Sequence, residues 1–446
     1  MRISVVTGGM VLTPHGQVRA DLHIADGKVE AIGGGPAGSG GTLDATGCYV
    51  LPGGVDPHAH LMAAPRQATT AAARGGTTTA LSFTSPRAGE RDVDALLRGR
   101  ADLAGAGIAI DVGLHAAIYD PDHVTAADLT AAKAAGAAAI KVFLAYPELG
   151  IMCTGQRLRE LMAMTGPAGL VVAVHCEDAG QIGALEEQAA GARGERSAPR
   201  TFAGTRPPEA EEEAVGRVLG AAAQTGATCY LVHLSTAGAV RQVRRTRAAG
   251  QPDLHAEVCT HHLFLDDGRY DRPDAARYLV CPPLRPGGHV AGLWGGLADG
   301  TIGTIGSDHC QTRTPVGSWL DDAGRQHAYG LAGIGPRLPL LLSAAMTGRL
   351  TLGQVIRLAA ENPARAFGHY PRKGALLPGS DADVVVFDPD GATVLPANGL
   401  GDGTGDSVYA GQVLRGRIRA VLLRGRVIVA DGELAGQNPA GTYLAG

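Results

Sequence analysis

Six side chains in this sequence are of kinds that hold metal ions: His58 and His60 in VDPHAH, Lys141 in AIKVFLA, His175 in VAVHC, His233 in LVHLS and Asp308 in GSD. In extended backbone, residues i and i+2 point the same way, so both imidazoles of the HxH pair can face one ion. Two close divalent ions need neutral imidazoles and at least one bridging anion. A cationic lysine between Ile140 and Val142 would repel them. An amine that has reacted with CO2 becomes a carbamate instead, an anionic oxygen donor able to bridge. That reaction needs the neutral amine, which an apolar strand favours by desolvation. Metals held in this way lower the pKa of a bridging water and make hydroxide the nucleophile. Asp308 can then take the proton and pass it to a leaving nitrogen. Singly, each residue has a plainer reading: a hydrogen-bonded histidine at a strand end, a snorkelling lysine, an aspartate capping a helix. The chemistry is argued from the set, which falls at five strand ends in barrel order.

Those strand ends belong to a repeating pattern. The middle of the chain alternates apolar runs with Ala/Arg/Glu-rich helical stretches. The runs are VLPGGVD, TTTALSF, IAIDVGLHAAI, AAIKVFLA, LVVAVHC, CYLVHLS, DLHAEVCT and IGTIGSD. Eight buried strands in βα alternation predict an α/β fold, a (β/α)8 TIM barrel over residues 54–370, with its active site at the C-terminal strand ends. A doubly wound open sheet is the rival architecture, weakened because no GxGxxG opens a helix after the first strand. Residues 1–53 and 371–446 read as short strands and turns, as in DLHIADGKVEAIGG and GRIRAVLLRGRVIVADG. They are expected to form one small β-sandwich domain built from both chain ends.

Composition narrows the function classes. A net charge of −4 over 446 residues, with no basic run, leaves no electrostatic footprint for nucleic acid or a membrane surface. The seven cysteines are scattered, odd in number and without a CxxC pair, which points to a reducing cytoplasmic setting. MRISVVTGGMVLTP has no apolar run long enough for a signal peptide, and no stretch reaches membrane-span length. The chain has only four lysines, Lys28, Lys133, Lys141 and Lys373, so one inside an apolar strand stands out.

The order HxH, Lys, His, His, Asp resembles the amidohydrolase superfamily and its cyclic amidases: hydantoinases (dihydropyrimidinases), dihydroorotases and allantoinases. The resemblance extends over nearly the whole chain, including GSDADVVVFDP near its end. It implies that His58 and His60 hold a first metal with Asp308 as further ligand and general base. It also implies that Lys141, N6-carboxylated, bridges both ions and that His175 and His233 hold the second. Members mostly carry zinc, with manganese able to substitute. KVFLAYPELGIM, VHCED, RPPEAEEEA, CPPLR and GSDHC resemble hydantoinases, which implies that Tyr146 donates to the developing oxyanion. LVHLSTAGAV and HAEVCTHHLFLDD resemble dihydroorotases, but the devices that bind a substrate carboxylate are missing. Met62 stands where that family has arginine, Cys281 where it has asparagine, and FTSPRAG lacks a further asparagine.

The expected substrate is therefore a small, neutral cyclic ureide or imide, with Tyr146, Cys281 and Tyr329 lining its site. Hydantoinases usually have serine at the Cys281 position and asparagine near that of Tyr329. The stretch between His60 and GGTTT is also short, which leaves the particular ring open. Allantoinase or another cyclic amidase, dihydroorotase included, is the enzymatic alternative. A catalytically inactive scaffold relative is the alternative from another class. The resemblance further implies a homo-oligomer, dimer or tetramer. His261 and His262, just after strand 7, are within reach of the site, with a surface or structural role as the competing reading; His309 is read as an orienting group, and Arg285 and Arg337 as locks on loops.

Overall fold

The structure is a computed structural model that describes residues 1–35, 39–190, 199–250, 253–310, 330–404, 407–436 and 439–446. Two compact units compose it. One contains Met1–Ser82, Arg100–Gly113 and Ala332–Leu444, the other Phe83–Gly99, Leu114–Leu331 and Ala445–Gly446.

In the first unit, strands from both chain ends share one sheet. Its seven-stranded order brings Val384–Val394 against Val413–Leu423 on one side and Tyr49–Pro52 on the other. A four-stranded sheet of Lys28–Ile32, Leu22–Ala25, Ile3–Thr7 and Gly41–Asp44 completes the sandwich. Alternation makes the core. Val413–Leu423 reads exposed-buried along VLRGRIRA, and its Ala420 and Leu422 join Ile3, Val6, Leu22, Val50 and Val384 in one apolar cluster.

The sequence run VLPGGVD is divided at its glycines. Tyr49–Pro52 pairs antiparallel with Val384–Phe387 in the sandwich, whereas Gly54–His60 is barrel strand 1. Gly53 sits at this transfer, where an added Cβ would come 2.1 Å from Thr78 Oγ1, so only glycine fits. Barrel strand 1 runs parallel to strand 2, Thr77–Phe83.

In the second unit the barrel strands continue in parallel: strand 3, Asp111–Ala117, whose later residues pair with strand 4, Ala137–Phe143; strand 5, Val171–His175; strand 6, Cys229–Leu231; strand 7, Leu254–Cys259; strand 8, Thr304–Gly306. Strand 2 is buried at every position, the mark of a parallel strand covered on both faces. The sheet order runs 8-7-6-5-4-3-2-1 and ends with His309–Cys310. Helices follow the strands, and threonine caps begin some of them. Thr154 caps Gly155–Ala168 through Arg157 N–H, and Thr236 caps Ala237–Ala248 through Ala239 N–H. No helix among the described residues is long and apolar enough to cross a membrane. None of the seven cysteines forms a disulfide.

Candidate metal centre

Four of the six candidate ligands lie in the second unit. Lys141 projects from strand 4, is 2% exposed, and holds its nitrogen 5.1 Å and 5.3 Å from the ring centres of Phe83 and Phe143. Burial pulls its amine down to about 8, against the opposing pull of the Asp308 and Glu257 carboxylates. At pH 7 this leaves about one amine in ten uncharged, against roughly one in a few thousand for an ordinary lysine. His175 ends strand 5, and its Nδ1 lies 3.0 Å from His233 Nε2. Burial lowers the pKa of His175, despite its bond to Glu177, and so favours the neutral ring that a metal requires. Two nitrogens on one tetrahedral ion at about 2.0–2.1 Å lie roughly 3.3 Å apart, so the donor pair is spaced to share an ion.

His233 and Asp308 each lie two residues beyond a strand and adopt left-handed backbone, with φ of 38° and 45°. Tyr146, in the loop after strand 4, does the same at φ 65°, although it precedes Pro147, which disfavours compact conformations. Three of the seven non-glycine residues with positive φ among those described are thus candidates named from the sequence. Such conformations persist where surrounding structure holds them, and functional sites are where they cluster. For His233 the holder is Glu257: its buried carboxylate accepts the His233 N–H at 2.9 Å and the Tyr230 hydroxyl at 2.8 Å.

The loop after His233 is fixed from below. Glu211, of RPPEAEEEA, accepts Ser235 N–H at 3.0 Å and Thr236 N–H at 2.9 Å, and also bonds both hydroxyls. Arg285, of CPPLR, donates to Ser235 Oγ at 2.9 Å and to the Arg206 carbonyl. Three separate sequence motifs therefore meet in one buried network, and Arg285 locks loops as its residue type suggested.

His58 and His60 lie in the first unit at the end of strand 1, their ring centroids 5.7 Å apart. The buried Asp56 accepts the His58 N–H at 3.3 Å, and its other oxygen lies 3.8 Å from Arg337 Nε. Arg337 is fully buried and also reaches Thr77 Oγ1 and the Ala359 carbonyl, again a lock.

Tyr146 is half-buried, with its ring 5.0 Å from that of His175. Cys281 is buried and joined to Pro282 by a cis peptide bond, and Pro282 O lies 3.0 Å from His262 Nε2. Tyr329 lies outside the described residues. His261 and His262 are buried, which removes the surface reading; His261 lies with Cys259 and Asp308 in a group whose donor atoms are within 4.8 Å of one another. His309 is fully buried directly after Asp308.

Sequence reasoning passed over Glu177, Glu211 and Glu257. Glu257 carried the signal that singled out Lys141, a charge inside an apolar strand (LHAEVC). Glu177 stands two residues after a candidate ligand.

An α/β barrel with histidines, a buried lysine and an aspartate at its strand ends defines the class. The sequence pattern of the Amidohydrolase family matches residues 49–428, and the chain belongs to that family. It is 34% identical to a D-hydantoinase of Ralstonia pickettii, over 99% of this chain and 98% of the relative. It is 35% identical to a D-hydantoinase of Rhizobium radiobacter, over 98% of each. Among solved structures, the dihydropyrimidinase from Brevibacillus agri NCHU1002 superposes with a TM-score of 0.92 at 31% identity, covering 100% of this chain and 98% of that one.

Proposed function

We propose that this protein hydrolyses a neutral cyclic amide, a ureide or imide ring, in the manner of a hydantoinase or dihydropyrimidinase. Full-length similarity to D-hydantoinases at about one third identity supports the reaction class. The observation that carries the chemistry is the buried Lys141, its amine brought toward neutrality by desolvation, in the unit that also holds the His175–His233 pair and Asp308.

In this reading His58, His60, Lys141, His175, His233 and Asp308 hold two divalent ions, zinc in the first instance, with Lys141 as its carbamate. The barrel of residues 54–370 carries the site, and residues 1–53 and 371–446 form a separate sandwich. When bound, the ions would polarise the ring carbonyl and lower the pKa of water beside it. Asp308 accepts the proton of the attacking water and returns it to the ring nitrogen as that nitrogen leaves. Tyr146 donates its hydroxyl to the carbonyl oxygen as charge collects there, an interaction that gains strength only on the way to the transition state. Cys281 lines the ring pocket through its backbone, and Tyr329 is the further residue assigned to it from the sequence. The protein works as a cytoplasmic homo-oligomer, for which light scattering is the check.

The test is turnover of dihydrouracil, hydantoin, allantoin, dihydroorotate and succinimide by protein of known metal content. A neutral ring is expected to be preferred. Preference for dihydroorotate would overturn the reading of Met62 and FTSPRAG. Protein lacking divalent ion, and inert on every ring, would favour the scaffold.

A further inference from the structure

We infer that Glu177 is the positioning residue that selects which nitrogen of His175 faces the metal. His175 Nε2 lies 2.8 Å from Glu177 Oε2, while Nδ1 of the same ring lies 3.0 Å from His233 Nε2. A neutral imidazole carries one N–H and one lone pair, and an ionised carboxylate only accepts. The proton is therefore on Nε2, and the lone pair on Nδ1 points toward His233. In the metal-free protein His233 Nε2–H can donate to that lone pair; a bound ion would take the place of this proton and accept from both nitrogens.

Among the described residues the carboxylate makes one hydrogen bond, to His175. Glu177 is 1% exposed, and its second oxygen, Oε1, is buried with no hydrogen-bond partner. A buried charge kept half-satisfied is costly unless its one bond serves the site. A carboxylate behind a ligating histidine fixes the ring and raises its basicity, and loss of such a partner costs roughly 10–100-fold in metal affinity. The division of labour is legible: Glu257 holds the backbone of His233, and Glu177 holds the ring of His175.

The inference rests on the proposed metal centre, and the experiment separates the two. Zinc stoichiometry and affinity are measured by chelator competition for the wild-type protein, the isosteric E177Q and E177A. Folding is checked by circular dichroism, so that E177Q carries the test if E177A does not fold. The expected result is two ions in the wild type and, in at least one variant, one ion held about 10–100-fold more weakly while the other is unchanged. Wild-type affinity for both ions in both variants would overturn the inference, as would parallel loss of both, which marks a merely structural role. A wild type that binds no ion would instead sink the proposed centre. The inference then stands or falls on 15N shifts of the metal-free protein, in which His175 should be protonated at Nε2 in the wild type and lose that preference in E177A.

Discussion

Lys141 and Lys373 are both buried, 2% and 1% exposed, and their surroundings drive the same amine in opposite directions. Around Lys141 the rings of Phe83 and Phe143 lie 5.1 Å and 5.3 Å from the nitrogen, and desolvation prevails over the carboxylates of Asp308 and Glu257, lowering its pKa to about 8. Around Lys373 three carboxylates lie within hydrogen-bond reach: Asp111 at 2.6 Å, Asp383 at 2.8 Å and Asp381 at 2.9 Å. Burial still opposes its charge, but the three aspartates overcome it and raise its pKa. Depth alone therefore does not decide what a buried lysine does. A counter-ion in direct contact makes it a permanent cation that ties chain segments together, and its absence leaves an amine able to react. The donor group of Asp111, Asp381 and Asp383 could by composition hold a metal, yet the Lys373 ammonium already bonds all three.

The sharpest way to break this contrast is Lys141→Ala. Metal content should fall and turnover should drop by at least about 10³-fold, since a bridging anion and the geometry it sets go together. Short carboxylic acids should restore part of the activity by supplying the missing oxygens. Full metal content with unchanged turnover would remove Lys141 from the centre.

Lys373→Met should act on stability and not on chemistry. It removes the one cation common to three buried carboxylates, although Asp111 keeps Arg424 and Asp381 keeps Arg372 and Lys28, and should cost about 3–5 kcal/mol by urea unfolding while turnover per folded molecule stays the same. The acid limb tests the same cluster. Burial pushes Asp381 up, but Lys373, Lys28 and Arg372 outweigh it and hold its carboxyl near 2. A carboxyl depressed in the folded state stabilises above its unfolded pKa of about 3.9, and that contribution is lost as pH falls through the folded value. Stability should therefore decline between about pH 4 and pH 2, and less so in Lys373→Met. An acid limb unchanged by the substitution would mean that the cluster does not carry it.

Tyr146→Phe should leave both lysines and both ions alone. Turnover is expected to fall about 10²–10³-fold, the usual cost of one oxyanion donor, with metal content and melting temperature unchanged. Unaltered kcat would return Tyr146 to the role of a packed aromatic against His175.

What the sequence made legible follows from the same contrast. Lys141 was visible because a charge inside AIKVFLA breaks a local pattern. Lys373 was invisible because its surroundings, YPRKGALLPGSDAD, are polar in sequence, and its partner Asp111 is 262 positions away. Periodicity reports which face of an element is buried and says nothing of which distant residue meets it. The eight barrel strands were readable for the first reason. The division of VLPGGVD between sandwich and barrel was not, because both parts are equally apolar. His233 and Asp308 were named as strand-end residues, but their left-handed backbone left no trace, since neither is glycine and the conformation is imposed by partners such as Glu257.

The smallest effect sharpens the contrast most finely. Lys28 is a third lysine, and it pairs with Asp381, the carboxylate that Lys373 also bonds. Its side chain is 44% exposed, so water competes for the ammonium and salt screens it. Asp381 also keeps Lys373 at 2.9 Å and Arg372 at 3.1 Å when Lys28 is removed. Lys28→Ala should accordingly cost less than about 1 kcal/mol, with the cost shrinking as salt is added. Urea unfolding at low and high ionic strength measures both. A loss as large as that of Lys373→Met would show that the exposed cation holds the aspartates together. Contact with a counter-ion, irrespective of burial, would then be what separates a structural lysine from a reactive one.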